Sequence, residues 1–253
     1  MDFFDAIFTV HGVFYLVILS LLEIVLGVDN IIFISIITDK LSSKDKRRAR
    51  NIGLTLALIV RLLLLAIVSW IIQMITPLFP DTEYDFLKNF SVQSIVLLAG
   101  GLFLIYKSTT EMHKSISMNH DEDGKKKTSL YAVISQIVFI DIVFSFDSII
   151  TAIGMTNDLK EDLGHDPLVI IYLAVIISMV VMLIYARQIS IFIQKRPTIK
   201  MIALGFLVTI GVLLVAEAFG QHIPKGYIYF AMVYALVVEF LNLRMRKNKR
   251  NVR

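Results

Sequence analysis

Long apolar runs recur along the whole chain and restrict the environments in which it can fold. Each run is long enough to cross the roughly 30 Å hydrocarbon core of a bilayer as a helix. Composition agrees, since 57% of the residues are hydrophobic and the mean hydropathy is +0.74, against about 45–50% apolar residues in soluble domains. Backbone polar groups in lipid must pair within their own segment, which favours helices. The sequence predicts an all-α polytopic membrane protein with seven transmembrane helices, at about residues 12–37, 51–77, 91–111, 129–155, 168–187, 198–219 and 226–243.

Basic residues are distributed unevenly between the loops. Of the 25 Lys and Arg residues, 21 lie in segments 40–50, 107–127, 187–200 and 244–253. By the positive-inside rule these segments are cytoplasmic, which places the N-terminus outside and the C-terminus in the cytoplasm of a cell (inner) membrane. The formal charge of +4 then reflects topology. We expect lipid headgroups, and not nucleic acid, to be the partners of the basic segments.

An internal repeat organises the chain. Residues 23–32 read EIVLGVDNII and residues 141–150 read DIVFSFDSII, an offset of 118 positions. The copies lie in the first and fourth spans, so the chain crosses the membrane in opposite directions at the two motifs. This pattern is typical of transporters with inverted repeats and a site near the midplane.

The repeat predicts a single transmembrane domain with five successive parts. These are repeat 1 at about 12–111, a cytosolic linker at 112–128, repeat 2 at about 129–219, a seventh helix at 226–243 and a basic cytosolic tail at 244–253.

Each motif places two carboxylates inside the membrane. Glu23 and Asp141 lie almost at the centres of their spans. Asp29 and Asp147 follow six residues later, about 9 Å along a helix axis. Because the repeats are inverted, Asp29 lies toward the cytosol and Asp147 toward the outside. Six residues also turn a regular helix by about 600°, so a straight helix would not aim both acids at one small ligand.

Small and polar residues inside the motifs suggest how the acids are redirected. Gly27 and Asn30 in the first copy, with Ser145 and Ser148 in the second, favour a bent or broken helix that exposes carbonyl ligands. Facing helices that contribute one acid each are the alternative.

The intramembrane carboxylates indicate a cation path. Such residues cost about 2.5–3.5 kcal/mol each on insertion scales and usually mark ion or proton routes. Arg61, inside the second span, could neutralise one acid, and a purely structural pairing is the alternative. Oxygen ligands suit hard ions such as magnesium, calcium and manganese, and the chain has no cysteine for softer metals. Arg61 is also a candidate for a proton or gating role, and Glu217 and Glu239, nearer the membrane surfaces, are weaker candidates for such a role.

The motifs resemble those of a known family. LEIVLGVDNIIFISI and DIVFSFDSIITAIG, with GGLFLIYKSTTEMH between them and EAFGQHIPKGYIYFAMVYALVVEFLNL after them, are similar to the TerC family of bacterial integral membrane proteins. The similarity is to its short inner-membrane branch, without a C-terminal cytosolic domain. It implies a seven-helix fold related to LysE-type exporters and, for several members, manganese export. The family's acidic motif residues fall on Glu23, Asp29, Asn30, Asp141, Asp147 and Ser148.

Together these observations predict a secondary transporter that exports a divalent cation, most simply Mn²⁺, by alternating access with proton coupling. Glu23 and Asp141 would hold the ion, Asp29 would receive it and Asp147 would release it. We expect no enzyme activity and no permanent cofactor. The alternatives are a scaffold or insertion partner for other membrane proteins, a Ca²⁺/H⁺ exchanger and, with little support, an intramembrane hydrolase. A homodimer is a further candidate assembly.

Overall fold

The computed structural model describes residues 9–39, 41–67, 90–117, 129–163, 168–221 and 223–251. Within these ranges it describes the backbone alone at residues 10, 43, 147, 150–163, 225 and 246–251.

Seven α-helices make up the described part of the chain. In order they are α1 (Val10–Thr38), α2 (Ser43–Ala66), α3 (Val92–Ile116), α4 (Leu130–Leu163), α5 (Leu168–Gln194), α6 (Pro197–Ala218) and α7 (Lys225–Asn251).

Over their described residues, six helices are long and apolar enough to cross a membrane, namely α1, α2, α3, α5, α6 and α7. In α4 the apolar segment with described side chains is Leu130–Phe146, within a helix that continues to Leu163. The predicted class, an all-α polytopic membrane protein, is confirmed.

Several helices extend beyond the predicted spans at their charged ends. α2 begins eight residues early because Ser42 caps it, accepting the Asp45 N–H at 3.2 Å and donating to Asp45 Oδ2 at 2.7 Å. α3 reaches Ile116, inside the predicted linker, and α7 continues to Asn251, through most of the predicted tail. Lys and Arg are good helix formers, so hydropathy alone does not mark these helix ends. Residues 68–77 of the second predicted span and 118–128 of the linker lie outside the described residues.

The predicted interruption of the motif helices is wrong. α1 is continuous from Val10 to Thr38 and α4 from Leu130 to Leu163. A Cβ atom on Gly27 would collide with the side chain of Met182 in α5. Gly27 therefore leaves room for the Met182 side chain of a neighbouring helix, and α1 continues past it.

The helices form two compact units. The first contains α1, α2, α4 and α5 up to Ile191, and the second contains α3, α6 and α7. The first two helices of both repeats thus share one unit, and the third helices of both repeats share the other.

Side chains from all four helices meet in the first unit. Leu19 of α1, Leu65 of α2 and Ile149 of α4 pack with Ile170 and Ala174 of α5 in one buried apolar cluster. Between α2 and α4, a Cβ on Gly53 would lie 2.9 Å from Ile137 Cδ1, so these two helices approach closely.

In the second unit, α3 and α6 meet at two glycines. A Cβ on Gly101 would lie 2.7 Å from the Gly211 carbonyl oxygen and 2.9 Å from Val215 Cγ2, and a Cβ on Gly211 would lie 2.9 Å from the Gly101 oxygen and 2.8 Å from Ile105 Cγ1. Each glycine thus meets the other glycine and the residue four positions after it. Such reciprocal contacts are what a two-fold axis produces, as expected if α3 and α6 are equivalent helices of inverted repeats.

We expect Gly211→Ala to lower the thermal unfolding midpoint of the protein in detergent. The added methyl group would meet the backbone oxygen of Gly101, and such overpacking typically costs about 1–3 kcal/mol. The matched control is Gly205→Ala in the same helix, where the nearest atom is Met112 Cε at 3.6 Å. Alanine there gains up to about 1 kcal/mol of helix propensity. Equal midpoints for the two variants would contradict the glycine contact.

Candidate functional site

A buried arginine joins three helices of the first unit. Arg61 of α2 is 1% exposed. Its Nη1 donates to Glu23 Oε2 of α1 at 2.5 Å, and its Nη2 lies 3.5 Å from Asp141 Oδ1 of α4. The acid residues at the start of both motif copies are therefore brought to the same guanidinium group.

Two neutral side chains complete this network. Arg61 Nε donates to Ser145 Oγ at 3.0 Å, and Ser145 Oγ donates to Asp141 Oδ2 at 3.3 Å. Asn30 Nδ2 donates to Asp141 Oδ1 at 2.9 Å. Asp141 is thus held by its own helix, by α1 and by α2 at once.

Helix geometry explains how α1 supplies two members of the network. Glu23 and Asn30 are seven residues apart, which is two turns and about 10 Å along one face of the helix. Asn30 reaches Asp141 directly, whereas Glu23 reaches it through Arg61. The long arginine side chain spans the separation that the short acid side chains do not.

The remaining predicted ligands are placed differently. Asp29 is buried, at 2% exposure, and lies about 100° around α1 from its neighbour Asn30. Ser148 is buried and donates to the Ser145 carbonyl of its own helix at 3.3 Å. Asp147 lies within α4, but its side chain is outside the described set.

Among the side chains that the structure describes, no three histidine or acidic groups converge in a geometry that would hold a metal ion. Arg61 contacts both Glu23 and Asp141, so the cation beside these two acids in the structure is a protein side chain. That Glu23 and Asp141 hold the transported ion stays a prediction.

Several ionisable side chains are buried in the described part of this unit. They are Glu23, Asp29, Asp141 and Arg61. Removing charges from water is costly, and acids at membrane depth usually have a functional role. Asn30 Oδ1 also has no hydrogen-bond partner within the described residues, which leaves a carbonyl-type oxygen of the kind that binds hard cations.

The two weaker candidates both belong to the second unit. Glu239 of α7 is 8% exposed, and its Oε1 has no hydrogen-bond partner among the described residues. Glu217 lies in the last turn of α6 and is half-buried. Their proton or gating role stays a prediction.

Sequence reasoning assigned Ser145 to a helix break and missed its part in the network. The usable signal is spacing, because Ser145 follows Asp141 by four residues and so lies on the same helix face. The sequence alone did not indicate that Arg61 would contact both midplane acids.

Comparisons with known proteins identify relatives of the whole chain. The model of the integral membrane protein TerC family matches residues 8–253. A UPF0053 protein of Haemophilus influenzae is 45% identical over 234 residues, covering 92% of this chain and 93% of the relative. The UPF0053 inner membrane protein YgdQ of Escherichia coli K12 is 43% identical over 233 residues, covering 92% of each.

A longer relative also matches. The UPF0053 inner membrane protein YoaE of Escherichia coli K12 is 44% identical over 233 residues, which cover 91% of this chain and 42% of YoaE. The chain therefore spans less than half the length of that relative. No solved structure matches the chain.

We expect Ser145→Ala to lower the thermal unfolding midpoint of the protein in detergent. The substitution leaves Arg61 Nε–H buried without its acceptor, and an unsatisfied buried donor costs about 1–3 kcal/mol or more for a charged group. The matched control is Ser135→Ala, at an exposed position of the same helix where the hydroxyl donates to the Ala132 carbonyl. A midpoint for Ser145→Ala within error of the control would refute the network.

Proposed function

We propose that this chain, which belongs to the TerC family of integral membrane proteins, is a secondary transporter that exports a divalent metal cation. The observation that carries the proposal is the burial of carboxylates on two related helices. Glu23 and Asp29 of α1 and Asp141 of α4 are all buried, and the buried Arg61 contacts Glu23 and Asp141. Intramembrane acids usually mark an ion or proton path.

Oxygen chemistry supports a hard cation as the substrate, with Mn²⁺ as our specific proposal. The six motif residues offer carboxylate, amide and hydroxyl oxygens, which suit magnesium, calcium and manganese. Within the described residues, the amide Oδ1 of Asn30 is buried and has no hydrogen-bond donor. Asp29 would receive the ion from the cytosol, Glu23 and Asp141 would hold it, and Asp147 would release it outward, with Asn30 and Ser148 as neutral ligands.

Proton entry is the coupling that this site favours. Neighbouring carboxylates disfavour each other's ionised form, so some would take up protons when the metal ion leaves. The orientation that this requires, with the N-terminus outside and the C-terminus cytoplasmic, rests on the distribution of Lys and Arg between the loops. The sequence contains no P-loop motif for an ATP-driven pump.

A second candidate is a scaffold or insertion partner for other membrane proteins. The observation that favours it is the ion pairing of Arg61 with both Glu23 and Asp141, which would suit a structural lock between helices. Transport assays on purified protein separate the two, because a lock without a path carries no ion.

We expect purified protein in liposomes to carry Mn²⁺ and Asp29→Asn or Asp147→Asn to lower the initial flux by about tenfold or more, as expected for losing a metal-binding group. The matched control is Asp45→Asn, which removes the same charge at the start of α2, where Ser42 and Asp45 cap the helix. It should leave the flux unchanged. No flux of any divalent cation in the wild type would reject the transporter in favour of the scaffold, and equal Mn²⁺ flux in all variants would reject Asp29 and Asp147 as metal-binding residues.

We expect deletion of the protein from its host to raise the cellular manganese content and the sensitivity of growth to added manganese. The physical reason is that loss of an exporter leaves influx unopposed. Elemental analysis should compare Mn, Ca, Mg, Zn and Fe, with complementation by wild type and by Asp29→Asn as the control pair. A change confined to calcium would favour the Ca²⁺/H⁺ exchanger instead.

A further inference from the structure

In the first unit, the first helix of each repeat packs against the second helix of the other repeat. Gly27 of α1 packs against Met182 of α5. Ser145, which occupies the position of Gly27 in the second motif, bonds instead to Arg61 of α2. The first helix of each repeat therefore contacts the second helix of the other repeat at the same motif position.

A second pair of contacts follows the same rule. Gly53 of α2 packs against Ile137 of α4, and Leu19 of α1 belongs to the same cluster as Ala174 of α5. Leu19 and Ile137 are 118 positions apart, as the motifs are, and Gly53 and Ala174 are 121 positions apart.

This spacing gives Arg61 a counterpart. Arg61 and Met182 are also 121 positions apart, and each faces the central position of a motif, Ser145 and Gly27 respectively. These helix contacts thus repeat with two-fold symmetry, whereas the charge does not. At equivalent positions, the first repeat has the permanent cation Arg61 and the second has the uncharged Met182.

We propose that Arg61 is a tethered counter-ion, which offsets one of the two negative charges of Glu23 and Asp141 when no metal is bound and is displaced from them when the transported cation enters. The proposal rests on the proposed function. The guanidinium charge is permanent at any physiological pH, so it stands in for a metal ion at the same carboxylates. Met182, the counterpart of Arg61 on α5, has no charge, so only the side chain on α2 would be displaced by the metal ion.

The need for such a group follows from alternating access. After releasing its ion, a carrier must return empty, with its acids uncompensated in the bilayer unless protons or another cation cover them. Arg61 lies between Glu23 and Asp141 and reduces that charge. Exchange of one bound ion for another needs no empty return, and so should not need Arg61.

The experiment compares net Mn²⁺ flux with Mn²⁺/Mn²⁺ exchange in proteoliposomes. We expect Arg61→Gln to lower net flux by about tenfold or more, because an uncovered acid pair is costly at the membrane centre. We expect exchange to stay within about twofold of wild type and KM to fall, since the metal no longer competes with a guanidinium group. Arg48→Gln, at an exposed position of the same helix, is the control and should change neither rate.

A transposed variant tests the two-fold relation directly. Arg61→Met should show the same loss of net flux, and adding Met182→Arg with Gly27→Ser and Ser145→Gly should restore part of it by presenting the guanidinium group from α5. A merely structural arginine would not be replaceable from another helix.

The outcomes distinguish failure of the tethered counter-ion from failure of the proposed transport function. A wild type without flux or exchange for any divalent cation rejects the transporter. A transporting wild type whose folded Arg61→Gln variant loses net flux and exchange equally, or neither, overturns the tethered counter-ion. If Arg61→Gln does not fold, Arg61→Lys decides. In Arg61→Lys, which keeps the positive charge, a ratio of net flux to exchange within about twofold of wild type supports the tethered counter-ion. A tenfold fall in that ratio overturns the proposal.

Discussion

The ion pairs of Arg61 are the interaction on which the first unit depends. Lipid supplies no water to solvate a charge, so each buried ion must find its partner within the protein. Arg61 meets this requirement for Glu23 and Asp141 together, and Ser145 takes up its remaining Nε–H. Three helices, drawn from both repeats, are thereby held at one point whose geometry is set by hydrogen bonds and charge.

Glycine contacts impose the complementary constraint, because helix association in lipid relies on close packing. Gly27 and Gly53 bring helices together within the first unit, and Gly101 and Gly211 do so within the second. In both units these contacts join a helix of one repeat to a helix of the other. The units are consequently built from exchanged parts, which explains why neither repeat forms a compact body by itself.

In the proposed function, symmetric helix packing and the single charge of Arg61 would serve different purposes. The two-fold relation lets the same packing serve both directions of opening, as inverted repeats do in transporters. Arg61 and Met182 break that relation at the centre, where a substrate cation would bind. In the proposed function, the buried acids Glu23, Asp29 and Asp141 are the groups that would interact with the transported cation.

Sequence alone determined the membrane class, the seven helical segments, the repeat and the identity of the buried acids, because hydropathy, spacing and self-similarity are local properties of the chain. It misjudged Gly27, where α1 continues without a break and the side chain of Met182 lies close by. It also did not reveal that Arg61 contacts both midplane acids. Those features depend on which helices become neighbours, and pairing between residues 38 and 111 positions apart is decided only when the tertiary structure forms.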